Sequence, residues 1–198
     1  MPGNKSDGTM ANLNEQDRKE LISIARNTLE SYLSTGKVPK VNPARPALSE
    51  RAGAFVSLHE GDELRGCIGQ IEPDRELYKI VQSCALSAAL DDPRFSPVTA
   101  EQLPSLNIEI SVLTPMTRVA SVEEIEVGKH GLYITLGAWR GLLLPQVATQ
   151  YGWTREGFLS QTCRKAGLNE NAWRDRPVAI HRFEAQVFSE PRTLSAGL

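Results

Sequence analysis

From residue 14 onward, apolar positions recur at helical spacing. Leu21, Ile24, Ala25, Leu29, Tyr32 and Leu33 fall on one stripe, which predicts a helix that Asn14 caps and Gly36 ends. Glu15 and Asp17 stand in its first turn, where carboxylates suit the helix dipole. Pro39, Pro43 and Pro46 then make residues 37–48 an extended connector. The period changes to two at Ala54. Residues 54–59 and 63–70 predict a hairpin around Glu60-Gly61-Asp62. A three-residue loop pairs Leu58 with Leu64 and Val56 with Gly66. In that register Ala54, Val56, Leu58, Leu64 and Ile68 share an apolar face, while Phe55, Ser57, His59, Arg65 and Cys67 share the other.

A second helix opens at Pro73 and Asp74, with Leu77, Ile80, Val81, Cys84, Ala85, Ala88 and Ala89 facing inward. Residues 91–97 break it as a compact loop. Thr99 to Gln102 has the form of a capping box for a short helix, and Ser121 to Glu124 is another. Residues 106–112 alternate as a half-buried strand does. Residues 130–136 and 140–144 predict a second hairpin around Gly137-Ala138-Trp139. Pro145 suits the first position of a helix running to about Gly152. Thr154 caps a further helix with Phe158, Leu159, Thr162, Cys163 and Ala166 inward, stopped by Gly167. Residues 179–190 form a last strand with Phe183, Ala185 and Val187 on one face. Strands in runs, helices between them and two hairpins predict an α+β fold. Its sheet is mostly antiparallel, of about five to seven strands, with flanking helices.

Composition narrows the class. The 198 residues fit one large domain, or one domain with a small appended lobe. We divide them as a polar, disordered leader over 1–12, a domain over 13–192 and a flexible tail over 193–198. Net charge is −2 with no basic stripe, which argues against a nucleic-acid surface. Apolar runs are too short for a membrane span, and no signal-peptide pattern opens the chain. Cys67, Cys84 and Cys163 lie far apart in no paired spacing, so a reducing cytoplasm is expected. There is no zinc-binding spacing, no Walker motif and no dinucleotide fingerprint, so no metal or cofactor is assigned.

Candidate chemistry centres on Leu64-Arg65-Gly66-Cys67-Ile68-Gly69. Arg65 and Cys67, two apart on a strand, point to the same side, about 7 Å apart at Cα. A cationic neighbour favours the thiolate, which is the nucleophile. Gly66 and Gly69 mark close approach of backbone or ligand. Cys67 is thus either a poised functional group or a small residue in a crowded core. A thiolate enzyme needs a base. His59 falls about 13 Å from Cys67 in the hairpin register above, too far for proton transfer. His130, between Lys129 and Gly131 at the mouth of a strand, is the favoured histidine. Glu109 lies mid-strand on a polar face and is the candidate carboxylate. Asp92 and Arg94 stand in a charged loop beside Phe95. Arg140 begins a strand, and Gln146 begins a helix whose N-terminus could hold an anion.

Taken in order, Leu64 to Gly69, Asp92-Pro93-Arg94-Phe95, Ile108 to Leu113, Gly128-Lys129-His130-Gly131-Leu132, Arg140 to Val147, Gly152-Trp153 and Cys163 to Leu168 resemble the AMMECR domain family over roughly residues 15 to 190. The resemblance implies an α+β domain with a larger and a smaller lobe and a cleft between them. It also implies Memo-like and radical-SAM proteins as partners, since prokaryotic forms are encoded beside them. It supplies no activity. The residues and the resemblance together leave two functions open. One is a thiol-dependent enzyme or enzyme subunit with Cys67, His130 and Glu109 catalytic. In it Arg65, Gly66, Gly69, Asp92, Arg94, Arg140 and Gln146 bind a small-molecule substrate. The other is a non-catalytic adaptor for a protein partner such as a Memo-like protein.

Overall fold

The computed structural model describes residues 12–175 and 177–191. The expected leader, apart from Asn12, and the expected tail lie outside the described residues. In chain order, helix α1 spans Glu15–Thr35, strands β1 and β2 span Ala54–Glu60 and Glu63–Gln70, and helix α2 spans Leu77–Leu90. Strand β3 spans Leu106–Leu113, β4 Thr117–Arg118, β5 Gly131–Leu136 and β6 Trp139–Leu143. Helix α3 spans Pro145–Gln150, α4 Arg155–Lys165, and strands β7 and β8 span Ala179–Phe183 and Ala185–Ser189. The fold is α+β, as expected, but its strands form two four-stranded sheets rather than one. Eight described strands exceed the expected five to seven because one is only two residues long and the last splits in two.

The described residues divide into two compact units: 12–113 with 186–191, and 114–185. In the first unit the sheet order is β2-β1-β3-β8, and β1 pairs antiparallel with both β2 and β3. Helices α1 and α2 cover one face. Ala54, Val56, Leu58, Ile108, Ile110 and Val112 are buried there with Leu21, Leu29, Ile80, Val81 and Ala85. The α1 boundaries follow the sequence signals. Asn14 accepts from the backbone of Gln16 and Asp17, Asp17 returns a bond to Asn14, and Gly36 takes a left-handed φ of 71°. Helix α2 starts at Leu77, three residues later than expected. The Asp74 carboxylate is taken by Gln70 and Arg75 instead of capping the helix. The Leu77 N–H donates to Glu50.

In the second unit the order is β4-β7-β5-β6. Leu132 and Ile134 of β5, Phe158, Leu159 and Cys163 of α4, and Ile180 of β7 form its core. Thr154 caps α4 by accepting from Gly157. The expected strand over 179–190 breaks at Glu184, whose N–H and C=O both bond Thr114. The chain therefore leaves one sheet at Phe183 and enters the other at Ala185. Phe183 is buried while Val187 is exposed, so the expected common face does not form.

Candidate functional site

The hairpin register decides which side chains meet at Cys67. Gly61 takes a φ of 60°, and Glu60 pairs with Glu63, so the turn has two residues rather than three. A bulge follows: His59 pairs with Leu64 and Leu58 with Gly66, leaving Arg65 unpaired. Beyond it Val56 faces Ile68 and Ser57 faces Cys67. Relative to the expected register the pairing is displaced by two residues, which preserves the faces of residues 66–70. It is the bulge that moves Leu64 onto the face of His59 and breaks the simple alternation linking Arg65 to Cys67.

Strand β2 lies at a sheet edge, and Cys67 turns its backbone outward. Its N–H donates to Asp92 Oδ2 at 2.9 Å, and Arg94 Nη2 donates to its carbonyl at 3.4 Å. Asp92 also accepts from the Arg94 backbone at 3.1 Å, from Nε at 2.9 Å and from Nη2 at 2.7 Å. The charged loop thus stands where a further strand would pair, and it closes an exposed edge. Arg94 holds the buried Asp92 carboxyl well below the usual carboxylate range; burial opposes this, and the Cys67 N–H assists. The Arg65 and Arg94 guanidinium carbons lie 5.9 and 5.2 Å from the centre of the Phe95 ring. Arg94 is neutralised by Asp92. Arg65 has no carboxylate partner among the described residues.

The glycines have packing reasons. A Cβ on Gly66 would sit 2.0 Å from the Ala88 carbonyl oxygen, so β2 runs directly beneath α2. One on Gly69 would sit 2.2 Å from Cδ1 of Phe55, whose ring lies across it.

On the sheet face away from the helices, a thiol, a hydroxyl and a carboxylate stand in one row. Cys67 on β2 faces Ser57 on β1, and Ser57 faces Glu109 on β3. Because the Cys67 N–H points outward, this is the closer, non-hydrogen-bonded kind of pair. Ser57 Oγ lies 3.2 Å from Cys67 Sγ. Glu109 is half-buried and has no hydrogen bond or ion pair among the described residues. Ser57 was missed at the sequence level because its place opposite Cys67 depends on the register. His59 was misplaced for the same reason. It lies on this face two residues from Ser57, about 7 Å along the strand, and its Nε2 is buried without a hydrogen-bond partner.

His130, Arg140 and Gln146 belong to the second unit. His130 is 2% exposed rather than projecting freely from a strand mouth. Its Nδ1 accepts from the Glu126 N–H at 3.0 Å, and its Nε2 lies 3.2 Å from Arg182 Nη1. Burial, then the charges of Arg182 and Lys129, push its pKa down. Gly128 precedes it with a φ of 88°, and a Cβ there would meet Thr149 of α3 at 2.9 Å. Gln146 begins α3, and its Oε1 is buried without a partner. With six residues, α3 is too short to make its N-terminus an anion site. Arg140 is exposed on β6 opposite Thr135, and no carboxylate pairs with it among the described residues. No group of three or more His, Cys, Asp or Glu side chains suited to a metal ion gathers among the described residues. No described helix is long and apolar enough to cross a membrane. A groove of about 1020 Å³ runs beside α1, but its Arg26 and Glu190 satisfy each other.

The AMMECR1 family model matches residues 22–188. The chain belongs to the AMMECR1 family. Among its AMMECR1 relatives, Protein MJ0810 of Methanocaldococcus jannaschii is 42% identical over 177 residues, covering 85% of this chain and 88% of the relative. Protein MK0488 of Methanopyrus kandleri is 42% identical over 179 residues, covering 86% of each. The crystal structure of the uncharacterized protein PH0010 from Pyrococcus horikoshii superposes with a TM-score of 0.82 at 39% identity. It covers 86% of this chain and 89% of that one. None of these three names states an activity. The AMMECR1 membership and the α+β class match the expectation from the ordered motifs.

Proposed function

We propose that this AMMECR1 chain performs thiol chemistry at Cys67 on a small anionic substrate, as an enzyme or enzyme subunit. The observation that carries the reading is the row of thiol, hydroxyl and carboxylate formed by Cys67, Ser57 and Glu109 on adjacent strands. In the activating step the Cys67 proton passes through solvent to Glu109, and the Ser57 hydroxyl, which donates to Cys67 Sγ, stabilises the charge left on sulfur. A thiolate and a neutral carboxylic acid remain. Arg65, free of a carboxylate partner, is the group to hold the substrate anion. Asp92 and Arg94 hold the Cys67 backbone in place. His130 stands outside this assignment because it is buried in the second unit, with Nδ1 held by the Glu126 N–H and Nε2 facing Arg182.

Alkylation by iodoacetamide near neutral pH tests the reading. Cys67 is expected to react first. Burial pushes the Cys84 thiol up to about 11 and raises that of Cys163, so both stay protonated and sheltered. Glu109→Gln is expected to slow Cys67 alkylation about tenfold, below the usual reach of a positioned base. Equal, slow labelling of all three thiols, or an unchanged rate in Glu109→Gln, overturns the proposal.

The adaptor reading rests on a different observation. Trp139 and Tyr151 of the second unit are 58% and 64% exposed, and Tyr151 stacks on Trp153 with ring centres 5.0 Å apart. Such rings suit a protein partner, for instance a Memo-like protein. A Cys67→Ala chain that keeps both partner binding and cellular role would favour this reading over thiol chemistry.

A further inference from the structure

The buried His130 has a hydrogen-bonding conflict. The Glu126 backbone N–H points at Nδ1, 3.0 Å away, and Arg182 Nη1 lies 3.2 Å from Nε2. A backbone N–H and a guanidinium both donate only. The two contacts together ask the imidazole for two lone pairs. A neutral ring has one, and an imidazolium has none. The backbone donor is fixed, so the lone pair is on Nδ1 and the hydrogen is on Nε2. Two donors, His130 Nε2–H and Arg182 Nη1–H, then stand side by side with no acceptor joining them. Arg182 Nε is a third: it is buried without a hydrogen bond, and Glu124 Oε2 lies 3.7 Å from it.

Buried donors of this kind are normally satisfied. Glu184 has the carboxylate placed to serve Nε2. Its Oε1 lies 3.9 Å from Nε2 and 3.8 Å from Lys129 Nζ, both too long for a hydrogen bond. Its side chain is 49% exposed, as is 51% of Lys129, so solvent reaches this side of the cluster. Glu126 is occupied by Lys129 at 3.6 Å and Glu124 by Arg182.

We infer that His130 and Arg182 form a seat for the carboxylate of a small organic acid, with Glu184 as a displaceable internal competitor. The two oxygens of a bound carboxylate accept from Nε2–H and Nη1–H, and Lys129 adds charge at the open side. When such an acid arrives, Glu184 turns into solvent and the donor pair is satisfied.

Acetate titration of the whole chain tests this, followed through the ring nitrogen resonances of His130. Wild type is expected to show saturable movement of Nε2 in the millimolar range. Glu184→Gln, which removes the competing charge at an exposed position, is expected to bind acetate about tenfold more tightly, because no internal carboxylate then repels or competes with the ligand. Absence of a saturable shift in wild type up to about 100 mM, a hundredfold above a millimolar Kd, overturns the inference. So does a Glu184→Gln affinity no tighter than wild type, or phosphate binding as tightly as acetate. Arg182→Gln, partly exposed, is expected to lose the saturable shift while the far-ultraviolet spectrum stays folded. Retained binding in that folded variant counts against the seat.

Discussion

Gly66 and Gly69 sit three residues apart in the same strand and answer to different neighbours. At Gly66 a Cβ would meet the Ala88 carbonyl, part of the α2 backbone and unable to turn aside. At Gly69 it would meet the ring of Phe55, a half-buried side chain that can rotate. Overpacking of a tight core commonly costs about 1–3 kcal/mol. Gly66→Ala is therefore expected to lose at least about 2 kcal/mol of unfolding free energy, and Gly69→Ala distinctly less. Urea midpoints of the two variants check this. A Gly66→Ala chain as stable as wild type would mean that α2 does not lie on β2 as described. The same contact bears on function, because the strand that carries Cys67 is clamped from above at its neighbouring residue.

At the level of elements, the edge of β2 is completed by side chains rather than by another strand. Asp92 supplies the acceptor and Arg94 the donor that a paired strand would offer to Cys67. Asp92→Ala leaves the Cys67 N–H and the Arg94 guanidinium without their acceptor, which typically costs about 1–3 kcal/mol. Hydrogen exchange should locate the loss. The Cys67 amide is expected to exchange at least about tenfold faster, in keeping with the loss of more than 1.4 kcal/mol of local protection. The amides of β3, away from that edge, are expected to change little. Most helix limits, inward faces and strand periods were legible in the sequence because each depends on neighbours within a few positions; the start of α2 and the last strand are the exceptions. Asn14, Gly36, Thr154 and Gly167 all act where their residue types indicate. Register was not legible. It turned on whether Gly61 and Asp62 alone make the turn and on one extra residue, Arg65, which no periodicity announces. That single uncertainty hid Ser57, misplaced His59 and left Glu109 as an isolated carboxylate. The break at Glu184 was hidden for a similar reason, since its partner Thr114 is 70 residues away in sequence.

Across the whole molecule, ionisable groups with shifted affinities are divided unevenly between the two units. His130 and His181 both belong to the second unit, and burial is the main cause pushing each pKa down. Asp92, the strongly depressed carboxyl, belongs to the first. A histidine that resists protonation when folded but accepts a proton when unfolded favours the unfolded chain as pH falls. Its full contribution to stability is present above the unfolded value of about 6.5 and declines as pH falls toward the folded value. For Asp92 the contribution is present above the unfolded value of about 3.9 and declines only below it, as the folded carboxyl takes up its proton. The second unit is therefore expected to weaken first on acidification. Between about pH 6.5 and pH 4.5, amides of β5 and β7 should lose exchange protection, after correction for intrinsic rates, while those of β1 and β3 hold theirs. Protecting both sheets equally through that interval would show that the two imidazoles do not control stability there. In His130→Gln the amide side chain offers an acceptor to Glu126 without an ionisable ring, so the acid sensitivity of β5 should diminish.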